Sequence, residues 1–322
     1  MGSEQGAGDG TAGLRSKTEH TKAIHELRRA TVVINTHSRR GRRLYPEAIR
    51  ILRRDGFDPY RVFSVVNPKK LRATLEAALS DGPDLLIVGG GDGTLSTAVK
   101  HVAHRDVALG VLPLGTTNNF ARSLGLPLDL AGAIGVLSRG KVADIDLGMA
   151  GDRAFANLAS FGVSVEVAGT VRPWLKRLVG RAAYPLTALT VLPGHRPFRA
   201  YLTVDGRRHE VLTHQLNIAN GRFQGGWQVA SDISIDNGRL VAYQLGSGKR
   251  LRLLVETLTR ATGGRWRSLA GGPFVVGREI VLETDPPMRA DVDGEVRLLT
   301  PITLRTVANG LRVMVPADFV DN

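Results

Sequence analysis

The chain contains no cysteine, which rules out disulfides and thiolate chemistry and leaves the redox compartment unconstrained. Aromatic residues make up only 5% of it, too few for base stacking to be a main mode of ligand capture. No run of eighteen or more apolar residues occurs, so no segment reads as a membrane-spanning helix. The start is rich in glycine and polar residues and lacks the apolar core of a signal peptide, so residues 1–25 read as a disordered tail. Met1-Gly2 opens like a myristoylation signal, but Gly6 stands where Ser or Thr is required. The expected location is therefore cytoplasmic.

What is present is basic. A net charge of +13 points to an anionic partner: nucleotide phosphates, nucleic acid or an anionic membrane. The plainer alternative is a surface on which arginine is simply common. Nucleic-acid binding rests on charge alone, and no further feature supports it.

The first half alternates short apolar runs with helical stretches. Thr31–Asn35, Tyr60–Val66, Asp84–Val88 and Leu109–Leu112 read as strands, and Tyr45–Arg54, Lys69–Leu79 and Leu95–Val102 as helices. Alternation with doubly buried strands signals an α/β domain with a parallel sheet. Beyond about Arg153 short alternating segments follow one another: Ala200–Val204, Glu210–Ala219, Leu240–Leu245, Glu279–Thr284, Ile302–Val307 and Leu311–Val315. With an Asp205-Gly206 turn among them, they predict antiparallel sheets, read as a sandwich. Two helical interruptions are expected, Val171–Leu192 and Lys249–Ala261. In the former, Trp174, Leu175, Leu178 and Val179 beside Lys176, Arg177 and Arg181 suit an interfacial membrane helix, and core packing explains them equally well.

Gly89-Gly90-Gly91-Asp92-Gly93-Thr94 follows a buried strand and opens a helix. Backbone N–H groups in that setting can cradle a phosphate, helped by the positive end of the helix dipole. A carboxylate inside such a loop would repel phosphates unless a cation intervenes, so Asp92 suits a Mg²⁺ partner; the alternative is a tight turn with Asp92 capping its helix. Two familiar phosphate-loop patterns fail. Thr94 stands at the third glycine of G-x-G-x-x-G, and Thr116 replaces the lysine that Gly110 to Thr117 would need for a Walker A loop.

GGGDGT followed by Pro113-Leu-Gly-Thr-Thr-Asn-Asn-Phe-Ala-Arg122 resembles the catalytic domain of the diacylglycerol-kinase family, which also holds sphingosine, ceramide and small bacterial lipid kinases. Asp146-Leu-Gly, Phe155 to Gly162, Ile218 to Gly226, Ser234 to Leu240 and Asp293-Gly-Glu295 follow in that family's order. The resemblance implies an N-terminal α/β nucleotide-binding domain of NAD kinase and phosphofructokinase type, residues 26–146. It also implies a mostly antiparallel β-sandwich lipid-substrate domain, residues 147–300, with 301–322 packing back on the first. ATP and Mg²⁺ are expected in the cleft between domains, and a diacylglycerol-like lipid hydroxyl as acceptor at an anionic membrane surface. The nucleotide-binding residues would be Asn35, Gly89, Gly90, Gly91, Asp92, Gly93, Thr94, Gly115 and Thr116. Glu295 would be the catalytic base, with Asp92 the other catalytic group. Asp92 and Asp146 would serve the metal, and Asp236 and Asn237 a second, structural one. A homodimer is left open.

The chain departs from the family at three places. Asn119 stands where an aspartate usually joins the metal network, Asn237 replaces an aspartate, and Asn35-Thr-His-Ser-Arg-Arg-Gly41 replaces Asn-Pro-x-Ser-Gly. Arg39, Arg40, Arg42 and Arg43 crowd that opening loop, as a phosphate contact or a solvated basic face. These changes keep a catalytically weak nucleotide- or lipid-binding regulator as an alternative. An NAD kinase is a third reading, though no Asn-Glu pair of the kind expected there follows the loop.

Overall fold

The computed structural model describes residues 15–172, 183–221, 223–224, 227–228, 234–246 and 275–320, with the side chains of 183–185, 223–224, 227–228, 245 and 295–297 excepted. Most of the expected interfacial segment, including Trp174 to Arg181, and all of the expected 249–261 helix lie outside these residues. Two compact units divide the chain. One runs up to Ile145 and takes in the stretch from Asn309; the other is Asp146–Ala308.

In the first unit, α1 (Lys17–Leu27) leads into β1 (Arg29–Asn35), α2 (Arg39–Arg54), β2 (Asp58–Val65), α3 (Leu71–Leu79), β3 (Leu85–Gly90), α4 (Asp92–Val102), β4 (Ala108–Pro113), α5 (Asn119–Ser123) and α6 (Leu130–Arg139). The strands form a parallel sheet in the order β2-β1-β3-β4, as the apolar runs predict. Val32, Ile34, Leu85, Ile87, Ala108 and Leu112 point into one core shared with Ala48, Leu52, Ile134 and Leu137 of the helices.

The expectation of an unstructured start is corrected from Ser16 onward. Ser16 and Glu19 form a reciprocal capping box, and α1 buries His20 and Ile24. Four further contacts fix it. His20 Nε2 lies 2.9 Å from the Asp84 carbonyl and its Nδ1 3.3 Å from Arg312, while Arg15 bonds both Asp84 and Asp106. Burial first, then the charge of Arg15, pushes the His20 imidazole below its ordinary range, even though the Asp84 carbonyl favours the cation. Helix α2 starts two turns before the expected Tyr45, because the Ser38 hydroxyl accepts from Gly41 N at 2.9 Å and Pro46 is accommodated inside the helix.

The second unit opens within β5 (Lys141–Ala150), which crosses from the first unit, and continues through β6 (Arg153–Phe155), β7 (Leu158–Gly162), α7 (Val163–Thr170), α8 (Ala183–Val191), β8 (Phe198–Val204), β9 (Arg207–Thr213) and β10 (Gln215–Ala219). A short hairpin of β11 (Phe223–Gln224) and β12 (Trp227–Gln228) follows, then β13 (Leu240–Leu245), β14 (Val275–Gly277), β15 (Glu279–Asp285), β16 (Arg289–Val292), β17 (Glu295–Leu299) and β18 (Ile302–Val315). One antiparallel sheet pairs β9, β8, β15 and the start of β18; another has the order β14-β13-β10-β7-β16-β17. Phe161, Leu216, Ala242 and Ala290 of the latter share a core with Ala200, Leu202, Ile280, Leu282 and Leu304 of the former, so the expected sandwich is observed.

Two strand expectations change. Glu210–Ala219 is not one strand: the chain leaves one sheet for the other at His214, where the Thr213 hydroxyl bonds both the N and the O of Gln215. Ile302–Val307 and Leu311–Val315 are one strand, continuous through Asn309 in a left-handed conformation (φ 54°). Its start pairs with β15 and its end, at Val313, runs parallel to β4 at Leu109.

Candidate functional site

The glycine loop stands at the C-terminal end of β3 and opens α4, with Asp92 as the first helical residue. No side chain caps this helix; the Gly91 carbonyl accepts from Thr94 N at 2.9 Å and from Leu95 N at 3.1 Å, which leaves the amides of Asp92 and Gly93 unclaimed within the helix. The loop after β4 lies against it. A Cβ on Gly91 would come 3.2 Å from the Gly115 Cα, so both positions need glycine for the two backbones to touch. Leu114 N donates to the Gly90 carbonyl at 3.0 Å, extending the β3–β4 pairing into the loops.

Asp92 joins these loops by its side chain. One carboxylate oxygen accepts from the Thr117 hydroxyl at 2.7 Å and the other from Phe120 N at 3.2 Å. Phe120 is in the first turn of α5, which has no cap from its own N-cap residue, Asn118. Asp92 therefore caps α5 rather than α4. Each oxygen keeps a further lone pair, and Asp92 is half-buried with exposed Gly93 beside it.

Asn35, at the end of β1, donates through Nδ2 to the Thr94 hydroxyl oxygen at 2.8 Å and accepts from His37 N at 3.0 Å. Thr94 is buried and its hydroxyl proton remains able to donate. Arg40, in the first turn of α2, donates to the Gly115 carbonyl at 2.8 Å, joined there by Asn118 Nδ2 at 3.2 Å. Asn35, the glycine loop, Gly115 and Thr116 thus come together in one unit, Thr116 with an exposed side chain. Sequence reasoning did not assign roles to Thr117 or Asn118, and it read Arg40 only as one of four arginines in a basic loop, not as a partner of Gly115. Only the arginine-rich start of α2, adverse for its own dipole, gave a hint.

Asn119 is buried as the first residue of α5. Asp146 and Asp236, the further candidate metal residues, are both buried in the second unit beside the turn at Gly238. Asp146 accepts from Gly238 N, and its carbonyl accepts from Asn220 at 3.0 Å. With its amide oxygen facing Ser234 N, Asn237 makes two bonds to the Ser234 backbone, at 3.0 and 3.2 Å. Asp236, Asn237 and Gly238 are thus a closed turn clamped by a buried carboxylate. Among the described residues no group of three or more His, Asp or Glu could hold a metal ion.

In the second unit Asp293 and Gly294 both have positive φ, 50° and 90°, between Val292 and Glu295 of a hairpin. This is the primed turn that an Asp-Gly pair favours. The Asp293 carboxylate receives three amides: Ala156 N at 2.7 Å, Asn157 N at 3.1 Å and Leu158 N at 3.0 Å. Glu295 begins β17 directly after it. The Glu295 side chain lies outside the described residues.

The sequence matches the family described as diacylglycerol kinase catalytic domain over residues 29–150, and the YegS C-terminal NAD kinase beta sandwich-like domain over 157–315. A protein named diacylglycerol kinase from Staphylococcus epidermidis strain RP62A is 29% identical over 299 residues, covering 90% of this chain and 93% of its own. A second protein, from S. epidermidis strain ATCC 12228, whose name assigns it provisionally to the lipid kinases, is 30% identical over 243 residues, covering 74% and 79%. A crystal structure of a diacylglycerol kinase from Bacillus anthracis strain Sterne shares the fold, with a TM-score of 0.71 at 19% identity over 89% of this chain and 96% of that one.

Proposed function

Because the chain belongs to the diacylglycerol kinase catalytic-domain family, a family of lipid kinases, we propose that it transfers the γ-phosphate of Mg-ATP to the hydroxyl of a diacylglycerol-like lipid at a membrane surface. The observation that carries this reading is the pair of loops joined at Gly91 and Gly115, with the uncapped first turn of α4 between them. Such an N-terminus holds anionic oxygens through fixed N–H dipoles.

Phosphoryl transfer depends chiefly on positioning and charge neutralisation. Amides of Gly89 to Thr94 would hold the phosphates, and the Thr94 and Thr116 hydroxyls would donate to them. Asn35 supports this by occupying the acceptor side of Thr94, which leaves its proton for an anion. Arg40, fixed on Gly115, adds positive charge at the same loop.

Asp92 fits Mg²⁺ as a single carboxylate with lone pairs to spare, a site at which the ion keeps most of its water. The cation would neutralise phosphate charge. Asp92 itself orients the loop after β4. Asn119 in place of an aspartate leaves one negative charge fewer beside α5. Glu295 would accept the hydroxyl proton as the new P–O bond forms; an alcohol is too weak an acid to be ionised beforehand. Asp293 would set the height of Glu295 by fixing the turn before it.

The lipid acceptor also accounts for exposed Leu186 and Leu189 on α8, and for the basic net charge. Among the described residues no helix is long and apolar enough to cross a membrane, so association through a surface is the expected mode. The test is transfer of radiolabel from [γ-³²P]ATP to mixed micelles of diacylglycerol, with and without Mg²⁺. A labelled, chloroform-soluble product only with Mg²⁺ supports the reading; nucleotide binding without transfer to any lipid of a total extract would favour the regulator.

A further inference from the structure

A cavity in the first unit opens at the end of β1 away from Asn35. It has a volume of about 590 Å³ and is lined by Arg28, Arg54, Asp55, Ala131, Gly132, Ser138 and Arg139. Three guanidinium groups face one carboxylate, so the lining carries two uncompensated positive charges.

Each arginine is placed by a specific device. Arg28 sits in a left-handed conformation (φ 51°) as the cap of α1, which costs a non-glycine residue about 1 kcal/mol. It donates to the carbonyls of His25 and Asp55, each at 3.0 Å, and its charge is met by carbonyls and the Phe57 ring rather than a carboxylate. Among the described residues Arg54 bonds only through its Nε, to Asp55 at 2.9 Å, leaving the terminal nitrogens of the fork. Arg139 folds back along α6: a Cβ at Gly135 would collide with its guanidinium. Arg139 has no ion pair with any described residue. Burial, and then Arg28, pushes the neighbouring His25 imidazole down, which is the sign expected beside a positive cavity.

We propose that this cavity is a binding site for a phosphomonoester, recognised by the free forks of Arg54 and Arg139 and the charge of Arg28. A guanidinium fork matches two phosphate oxygens at once, and the volume suits a small organic phosphate. The site is separate from the glycine loop, since Arg28 precedes β1 and Asn35 ends it. Helix α2 reaches both: Arg54 closes its last turn and Arg40, in its first, holds Gly115. Its 16 residues span about 24 Å. The phosphate group can come from a soluble metabolite or a lipid headgroup, and the chemistry of recognition is the same for both.

The test is calorimetric titration of the full chain with glycerol 3-phosphate, without nucleotide, beside sedimentation with phosphatidylcholine vesicles containing or lacking phosphatidic acid. Binding of glycerol 3-phosphate identifies a soluble source; capture only by vesicles bearing phosphatidic acid identifies a lipid-borne one. In either arm Arg139→Ala should weaken binding about tenfold, the loss of one charge-assisted contact, and Arg54→Ala/Arg139→Ala should abolish it. Arg139→Lys, which keeps the charge and loses the fork, should fall between. Thermal melting of the unliganded variants serves as the control for folding. No association in either arm, or association that survives in the double variant, overturns the proposal. Survival would place the anion at the glycine loop instead.

Discussion

Asp92 and Phe120 are joined by a hydrogen bond of 3.2 Å from the Phe120 amide to a carboxylate that begins a different helix. With the 2.7 Å bond from Thr117, it makes one side chain responsible for the relative placement of two loops. Removing it leaves the first turn of α5 uncapped and frees the segment that carries Thr116.

Asp92→Ala should therefore affect both function and stability. A lost cap costs about 1 kcal/mol, readable as a lower urea midpoint at unchanged slope. Transfer should fall by two orders of magnitude or more if the carboxylate also serves the cation. Turnover within a few-fold of the parent chain would refute that second role.

Thr117→Val separates the two contributions. It deletes one hydrogen bond to Asp92 and leaves the carboxylate in place, so stability should drop by about 1 kcal/mol. KM for ATP should rise, with kcat changing less. A large fall in kcat alone would mean that Thr117 acts on the reacting groups directly.

Glu295→Gln tests the proposed base. Transfer should decrease about 10²–10⁴-fold while calorimetric ATP affinity stays the same. Asp293→Ala should behave differently: three amides lose a charged acceptor, and a loss of roughly 3 kcal/mol is expected in chemical denaturation. A stability change near zero would show that water replaces the carboxylate.

His20 gives the first unit a pH dependence of definite sign. Its folded-state proton affinity is lowered by burial, so the unfolded chain takes up a proton first as the solution is acidified. The stability it contributes is complete above its ordinary pKa of 6.5 and is lost as pH falls from there towards its folded value. Asp106 acts in a lower window. Burial opposes its ionisation, but the Arg15 hydrogen bond and charge, with His20 and Arg312, outweigh burial and hold it below 3.8. Urea midpoints between pH 7 and 5 should decline in the parent chain and flatten in His20→Gln. Equal slopes in both would remove His20 from this account.

The expected strands at Thr31–Asn35 and Asp84–Val88 were legible because a doubly covered parallel strand must be apolar at every position, a local requirement that composition alone displays. The Asp205-Gly206 turn was legible for a similar reason: few residue pairs tolerate two positive φ angles in succession, and the structure repeats the same pair at Asp293-Gly294. The break at His214 was not. Thr213, His214 and Gln215 continue an alternating strand pattern, and the sheet change depends on partners far along the chain. Nor was the start of α1, whose short amphipathic face is stable only because Arg15 and His20 meet Asp84, Asp106 and Arg312.

At the candidate site the residue types and their order were fixed by local chemistry: glycine where two backbones touch, a carboxylate and hydroxyls beside them. Tertiary structure alone decided what each carboxylate does. Asp92 reaches a helix 28 residues on, Asp293 three amides 135 to 137 residues back, and Asp146 a turn 92 residues on. A side chain's partners are chosen by distance in space, and that distance is set only when the sheets have formed and brought the loops at their ends together.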